Sequence, residues 1–215
     1  MSVKPHLELP AVAEAAEPPA CLGRRLRLAR ERSELSLRAL ARRIGVSASL
    51  ISQIEHGRVT PSVATLYAMA NELGLLLDEL FRDNELPAQS REAPQTAATV
   101  QRQSDRKAIR LASGVRWERL TAQPDREVEF LYVVYEVGGA SCAPDSMMRH
   151  GGKEYAYLIS GRLGVSIGFD SFELAPGDSV SFDAQTPHRL WAIGDEPAIA
   201  VWAILNRHGD TRAPV

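Results

Sequence analysis

Cysteine is scarce in this chain of 215 residues: Cys21 and Cys142 are the only two, in different halves and at no metal-ligand spacing. A disulfide framework or a zinc knuckle therefore has no support, and a reducing compartment fits. Long apolar runs are missing too. No stretch approaches the roughly 18 apolar residues that cross a bilayer. The first twenty residues are rich in Pro, Ala and Glu but have no apolar core flanked by positive charge. The expectation is a soluble, cytoplasmic protein with no membrane partner.

The formal net charge is only -2, yet the charge is unevenly spread. Between Gly23 and Arg58 nine arginines face three glutamates, a local balance of +6, whereas Ala108 to Leu205 holds thirteen acidic and eight basic side chains, a balance of -5. The basic half suits a phosphate backbone, and the acidic half would be repelled by one.

The stretch Ser36 to Arg58, SLRALARRIGVSASLISQIEHGR, reads as two short amphipathic helices joined by a turn. Ser36 is a candidate N-cap for a helix running to about Arg43, with Leu40, Ala41 and Ile44 on one apolar face. Gly45 ends that helix by taking the left-handed conformation, and Val46 follows as a buried plug. Ser47 caps the next helix, whose Leu50, Ile51 and Ile54 face inward. Ala48, Ser49, Ser52, Gln53 and His56 fall on its outer face.

This spacing resembles the helix-turn-helix of the repressor-like (lambda repressor, Cro, Xre-type) family, and the likeness extends over residues 21–82. The run EHGRVTPSVATLYAMANELG resembles the family's third-helix exit, loop and fourth helix, and LLLDELF a fifth. Double-stranded DNA is the partner the resemblance implies. Arg38, Ser47, Ala48, Ser49, Ser52, Gln53 and His56 would face the major groove, with Arg58, Thr60 and neighbouring arginines on phosphates. In the first helix, begun by Leu22, Leu26 and Ala29, each arginine either reaches phosphate or solvates an exposed face.

Residues 1–20, with Pro5, Pro10, Pro18 and Pro19, read as a disordered tail, and 208–215 as a second tail. Residues 83–107 have almost no bulky apolar side chains and read as a linker. Over 108–207 the periodicity changes to two, in short apolar runs bounded by Gly, Pro and Asp. That pattern predicts an all-β sandwich or barrel. Asp178 and Asp183 sit in turns, where aspartate satisfies local backbone donors. The aromatic residues Tyr132, Tyr135, Tyr155, Tyr157, Phe182, Trp191 and Trp202 are read as core or subunit interface.

Within that half, His150 to Gly161 and Pro176 to His188 resemble the two motifs of the cupin family. The fold class implied is multidomain α and β: an N-terminal five-helix repressor-like domain and a C-terminal all-β cupin barrel, a double-stranded β-helix. Metal-binding cupins usually supply two histidines and a glutamate from the first motif and a third histidine from the second. Here Met148 stands where the first histidine would be, leaving His150, Glu154 and His188. Two histidines and a carboxylate can still hold a divalent metal such as iron, zinc or nickel. Alternatively, the three bind a ligand without metal, and no cofactor is firmly implied.

Together these resemblances imply a DNA-binding transcription regulator that acts as a homodimer, its cupin sensing a small-molecule effector, with no enzymatic activity. The alternative is a mononuclear non-haem iron enzyme, since 2-hydroxypropylphosphonate epoxidase has the same domain order and a two-histidine, one-glutamate set. A cupin serving only as a dimerisation scaffold is a third reading. Fold alone does not decide among them.

Overall fold

The structure, a computed structural model, describes residues 19–81 and 99–206. The expectations for residues 1–18, 82–98 and 207–215 lie outside the described residues. The N-terminal domain contains α1 (Pro19–Arg32), α2 (Leu37–Ile44), α3 (Ala48–Glu55) and α4 (Val63–Glu72).

Each boundary follows from local chemistry. Ser36, Ser47 and Ser62 cap α2, α3 and α4 by accepting the backbone N–H of Ala39, Leu50 and Thr65. Gly45 ends α2 at φ 72°, a backbone conformation that L side chains rarely adopt. Leu26, Leu40, Ile51, Ile54, Leu66 and Met69 fill the space between the helices. Gly23 lets α1 cross α3 closely, since a Cβ there would sit 2.1 Å from the Ile54 carbonyl oxygen.

Three expectations need correction. Among the described residues the domain has four α-helices, not five. The LDELF segment, Leu77–Phe81, is one short 3-10 helix, and Leu77, Leu80 and Phe81 are spent on sealing the core. Val46 is half-buried rather than fully buried. Arg30 follows neither course foreseen for the α1 arginines. Its Nε and Nη2 donate to the two carboxylate oxygens of Glu55 at 2.6 and 2.9 Å, and Nη1 donates to the Leu35 carbonyl.

The C-terminal domain is antiparallel throughout. Its strands are β1 (Ala108–Leu111), β2 (Val115–Arg119), β3 (Val128–Tyr135), β4 (Lys153–Ser160) and β5 (Arg162–Ile167), followed by β6 (Asp170–Leu174), β7 (Ser179–Asp183), β8 (His188–Ile193) and β9 (Ala198–Leu205). They form a six-stranded sheet, β1-β2-β3-β9-β4-β7, and a three-stranded sheet, β6-β5-β8. The expected barrel is thus two sheets that do not close into one hydrogen-bonded ring. Alternation sends Leu131, Val133, Leu158, Trp202 and Ile204 inward from the larger sheet, and Leu163, Val165 and Leu190 from the smaller. In the turns, Asp178 accepts from the Ala175 N–H and Asp183 from the Gln185 N–H, as expected.

The two domains touch through α4. The first N–H groups of any α-helix have no partner inside the helix. Here the β domain supplies partners: Val63 N–H donates to Ser113 Oγ at 3.4 Å and Ala64 N–H to the Ser141 carbonyl at 3.1 Å. Just before the helix, the Pro61 carbonyl accepts from Ala112 N–H at 3.0 Å.

Candidate functional site

On the helical domain, α3 and its C-cap His56 present Ser49, Gln53 and His56 exposed and Ala48 and Ser52 half-buried, on one face as the spacing predicts. The Ser47 hydroxyl is partly committed, since it caps the helix. Gln53 donates to Ser49 Oγ at 3.3 Å, and His56 Nδ1 donates to the Ser52 carbonyl at 2.7 Å. Arg38, in the first turn of α2, and Arg58, just past α3, are exposed, and Thr60 is half-buried. Arg30 is withdrawn into its pair with Glu55, and Arg27 pairs with Glu31 along α1. Sequence reasoning missed the Arg30–Glu55 pair because its partners lie 25 residues apart.

In the β domain, His150, Glu154 and His188 come together, their nitrogen and oxygen ligand atoms all within 4.8 Å of one another. His188 opens β8 and pairs through its backbone with Met148, in the segment that leads into β4. Glu154 is the second residue of β4 and points inward. All three side chains are buried.

The hydrogen bonds define what this cluster can do. His150 Nδ1 donates to the Gly151 carbonyl and His188 Nδ1 to the Thr186 carbonyl, both at 2.9 Å. With the proton on Nδ1, each Nε2 carries a lone pair. The two Nε2 atoms lie 2.8 and 3.4 Å from Glu154 Oε1, yet neither has a partner in hydrogen-bonding geometry. Proximity here is thus not pairing: three electron-rich atoms converge on one point. Trp202 Nε1 fixes the carboxylate by donating to Oε2 at 2.6 Å. Burial holds the His188 pKa below its usual value, with the Glu154 charge opposing, so the imidazole is neutral and able to ligate. Burial, aided by Glu154, raises the Tyr135 phenol well above its ordinary range.

Buried lone pairs without donors are costly, and a divalent cation at their meeting point would satisfy all three. The residues present therefore fit a metal ion. Met148 lines the same cavity, in the place where the family pattern has a histidine.

Two aromatic residues belong to this site that sequence reasoning placed elsewhere or passed over. Trp202, read as core or interface, is the hydrogen-bond donor to Glu154. Tyr67 comes from α4 of the other domain and stacks on the His150 imidazole, with ring centroids 4.3 Å apart and planes 11° from parallel. A signal for Tyr67 existed. It lies four residues after Val63, off the Leu66–Met69–Leu73 stripe, and a helix apolar on two faces must pack against two bodies.

Residues 22–82 match the family described as helix-turn-helix domain, and residues 126–204 match the cupin domain family. The chain joins a helix-turn-helix domain to a cupin domain. With the regulator relative that it matches, this make-up fits a DNA-binding transcription regulator. The chain is 25% identical over 189 residues to the HTH-type transcriptional regulator PuuR of Escherichia coli (strain K12), covering 88% of this chain and 95% of that one. The structure of an HTH_3 family transcriptional regulator from Vibrio cholerae matches with a TM-score of 0.60 at 22% identity, covering 87% of this chain and 96% of that one, and so has the same fold. Hydroxypropylphosphonic acid epoxidase from S. wedmorenis matches at a TM-score of 0.43 and 19% identity, covering 89% and 100% of the two chains. That likeness is too weak to bear on chemistry. Among the described residues no helix is long and apolar enough to cross a membrane.

Proposed function

We propose that the protein is a transcription regulator that binds an operator as a homodimer and is not an enzyme, and that its cupin domain senses a small-molecule effector. The observation that carries this reading is the exposed recognition face of α3, bordered by Arg38 and Arg58, on a domain whose structural arginine is already neutralised by Glu55. Arg38, Ser47, Ala48, Ser49, Ser52, Gln53 and His56 would face the major groove, and Arg58 and Thr60 would hold or flank the backbone. Over nearly its whole length the chain aligns with a protein named as a regulator, which favours this reading over the iron enzyme.

A second copy is proposed to pack on the outer face of the six-stranded sheet, where Phe130, Tyr155 and Tyr157 are exposed beside Val201 and Ala203. His150, Glu154 and His188 would hold a divalent metal and make up the effector site. The metal would supply a fixed positive centre that an oxygen or nitrogen of the effector can reach.

Phosphate and base roles separate experimentally. Arg58→Ala is expected to weaken binding to every duplex alike and to reduce the slope of log K against log salt by about one unit. Ser49→Ala is expected to change preference at one base position and leave that slope alone. Titrating both variants against a set of duplexes at several salt concentrations tests the assignment. A changed sequence preference with an unaltered slope in Arg58→Ala would overturn it.

A further inference from the structure

Tyr67 and Val63, both on α4 of the helix-turn-helix domain, line the cavity that holds His150, Glu154 and His188. The free volume of that cavity is about 20 Å³, enough for an ion or a water molecule but not for an organic effector. The Tyr67 ring covers the His150 imidazole, meets Trp117 edge-on at 5.4 Å, and its hydroxyl donates to the buried Glu129 at 3.3 Å. The wall of the sensor cavity is thus built in part by the DNA-binding domain.

The same helix is tied to the DNA-facing loop. Arg58 and Thr60 precede Pro61, whose carbonyl is held by Ala112 of the cupin, and Val63 and Ala64 are held by Ser113 and Ser141. A molecule larger than a few atoms exceeds the free space of the cavity, and Tyr67 is the wall residue stacked directly on His150. Tyr67 belongs to α4, the helix that follows the loop leaving the recognition helix.

We propose that Tyr67 is the seal of the cupin site and the link by which its occupancy changes the DNA-binding domain. This rests on the regulator reading for its second half only. A ligand acts on DNA affinity solely through different affinities for the sealed and unsealed arrangements. Sealing places that difference on one side chain.

The seal can be tested without DNA or a known effector. Diethyl pyrocarbonate acylates neutral imidazole nitrogen, and peptide mass spectrometry of chelator-treated full-length protein reads the rate at each histidine. In the wild type His150 should react at least tenfold more slowly than the exposed His56. Tyr67→Ala should raise the His150 rate at least tenfold with His56 unchanged, while Tyr67→Phe, which keeps the ring, stays within twofold of wild type. Tyr67→Leu preserves apolar volume in case the alanine variant does not fold, and it should resemble alanine. Continued protection of His150 in the folded alanine or leucine variant would overturn the seal.

The link is read separately on the cobalt(II)-loaded protein, with imidazole, a metal-ligating molecule larger than the cavity, as the probe and a duplex selected by the protein from a random pool. Imidazole should shift the Kd of the wild type at least fivefold and that of Tyr67→Leu less than twofold. Equal shifts in both would overturn the link while leaving the regulator reading intact. Absence of any DNA binding would overturn the regulator reading and the link, and the seal would still be judged by the acylation rates.

Discussion

Full-length protein prepared without chelator is expected to carry close to one divalent metal ion per chain, and His188→Ala or Glu154→Ala to lower the affinity for that ion by at least about 100-fold. The expectation follows from proton placement. Both Nδ1 atoms are committed as donors to backbone carbonyls, so both Nε2 atoms present lone pairs toward Glu154 Oε1. Without a cation, the buried cluster must take up a proton or a water molecule or be left unsatisfied. Trp202→Phe keeps an aromatic ring, though a smaller one, while removing the hydrogen bond that orients the carboxylate, and should cost about 10- to 100-fold, less than losing a ligand. Elemental analysis alongside a competition titration gives both values. Metal content unaffected by His188→Ala would show that any bound ion sits elsewhere.

The second large effect is on stability. Glu55→Ala is expected to destabilise the helix-turn-helix domain by about 3–5 kcal/mol, because it leaves the buried Arg30 guanidinium without its counter-charge. The pair joins α1 to the last turn of the recognition helix, and Arg30 also holds the Leu35 carbonyl ahead of α2. One substitution therefore loosens three helices. Replacing both partners with apolar residues, Arg30→Met with Glu55→Leu, should recover most of the loss, since a buried ion pair adds little beyond what well-packed apolar side chains supply. Chemical denaturation followed by circular dichroism measures both variants. A Glu55→Ala loss below about 1 kcal/mol would mean the pair is solvated like an exposed one.

The helix-turn-helix was legible because its determinants are local. Ser36 and Ser47 cap what they were expected to cap, Gly45 takes the left-handed turn, and Ile51 and Ile54 are buried. The β domain was legible as a class from its period of two, and His150, Glu154 and His188 do meet. What the sequence did not disclose is long-range. Whether nine strands close into one ring depends on pairing between distant edges, and here those edges stay apart. The fifth helix failed because Leu77, Leu80 and Phe81 satisfy the core within a single short turn, so no longer helix is required. Tyr67 was passed over because its significance lies in an imidazole 83 residues away, on the other domain.

The central claim is that this chain reads DNA as a paired module. A recognition helix whose exposed residues are mostly small offers few contacts, so in the proposed function useful discrimination would come from two half-sites held by two copies. The most direct measurement is selection of duplexes from a random pool by the full-length protein, followed by sequencing of the bound fraction. The expected result is enrichment of an inverted repeat whose half-site centres lie about one helical turn apart, roughly 34 Å. A bound fraction with no enriched sequence, or a single half-site occupied by a monomer, would contradict it.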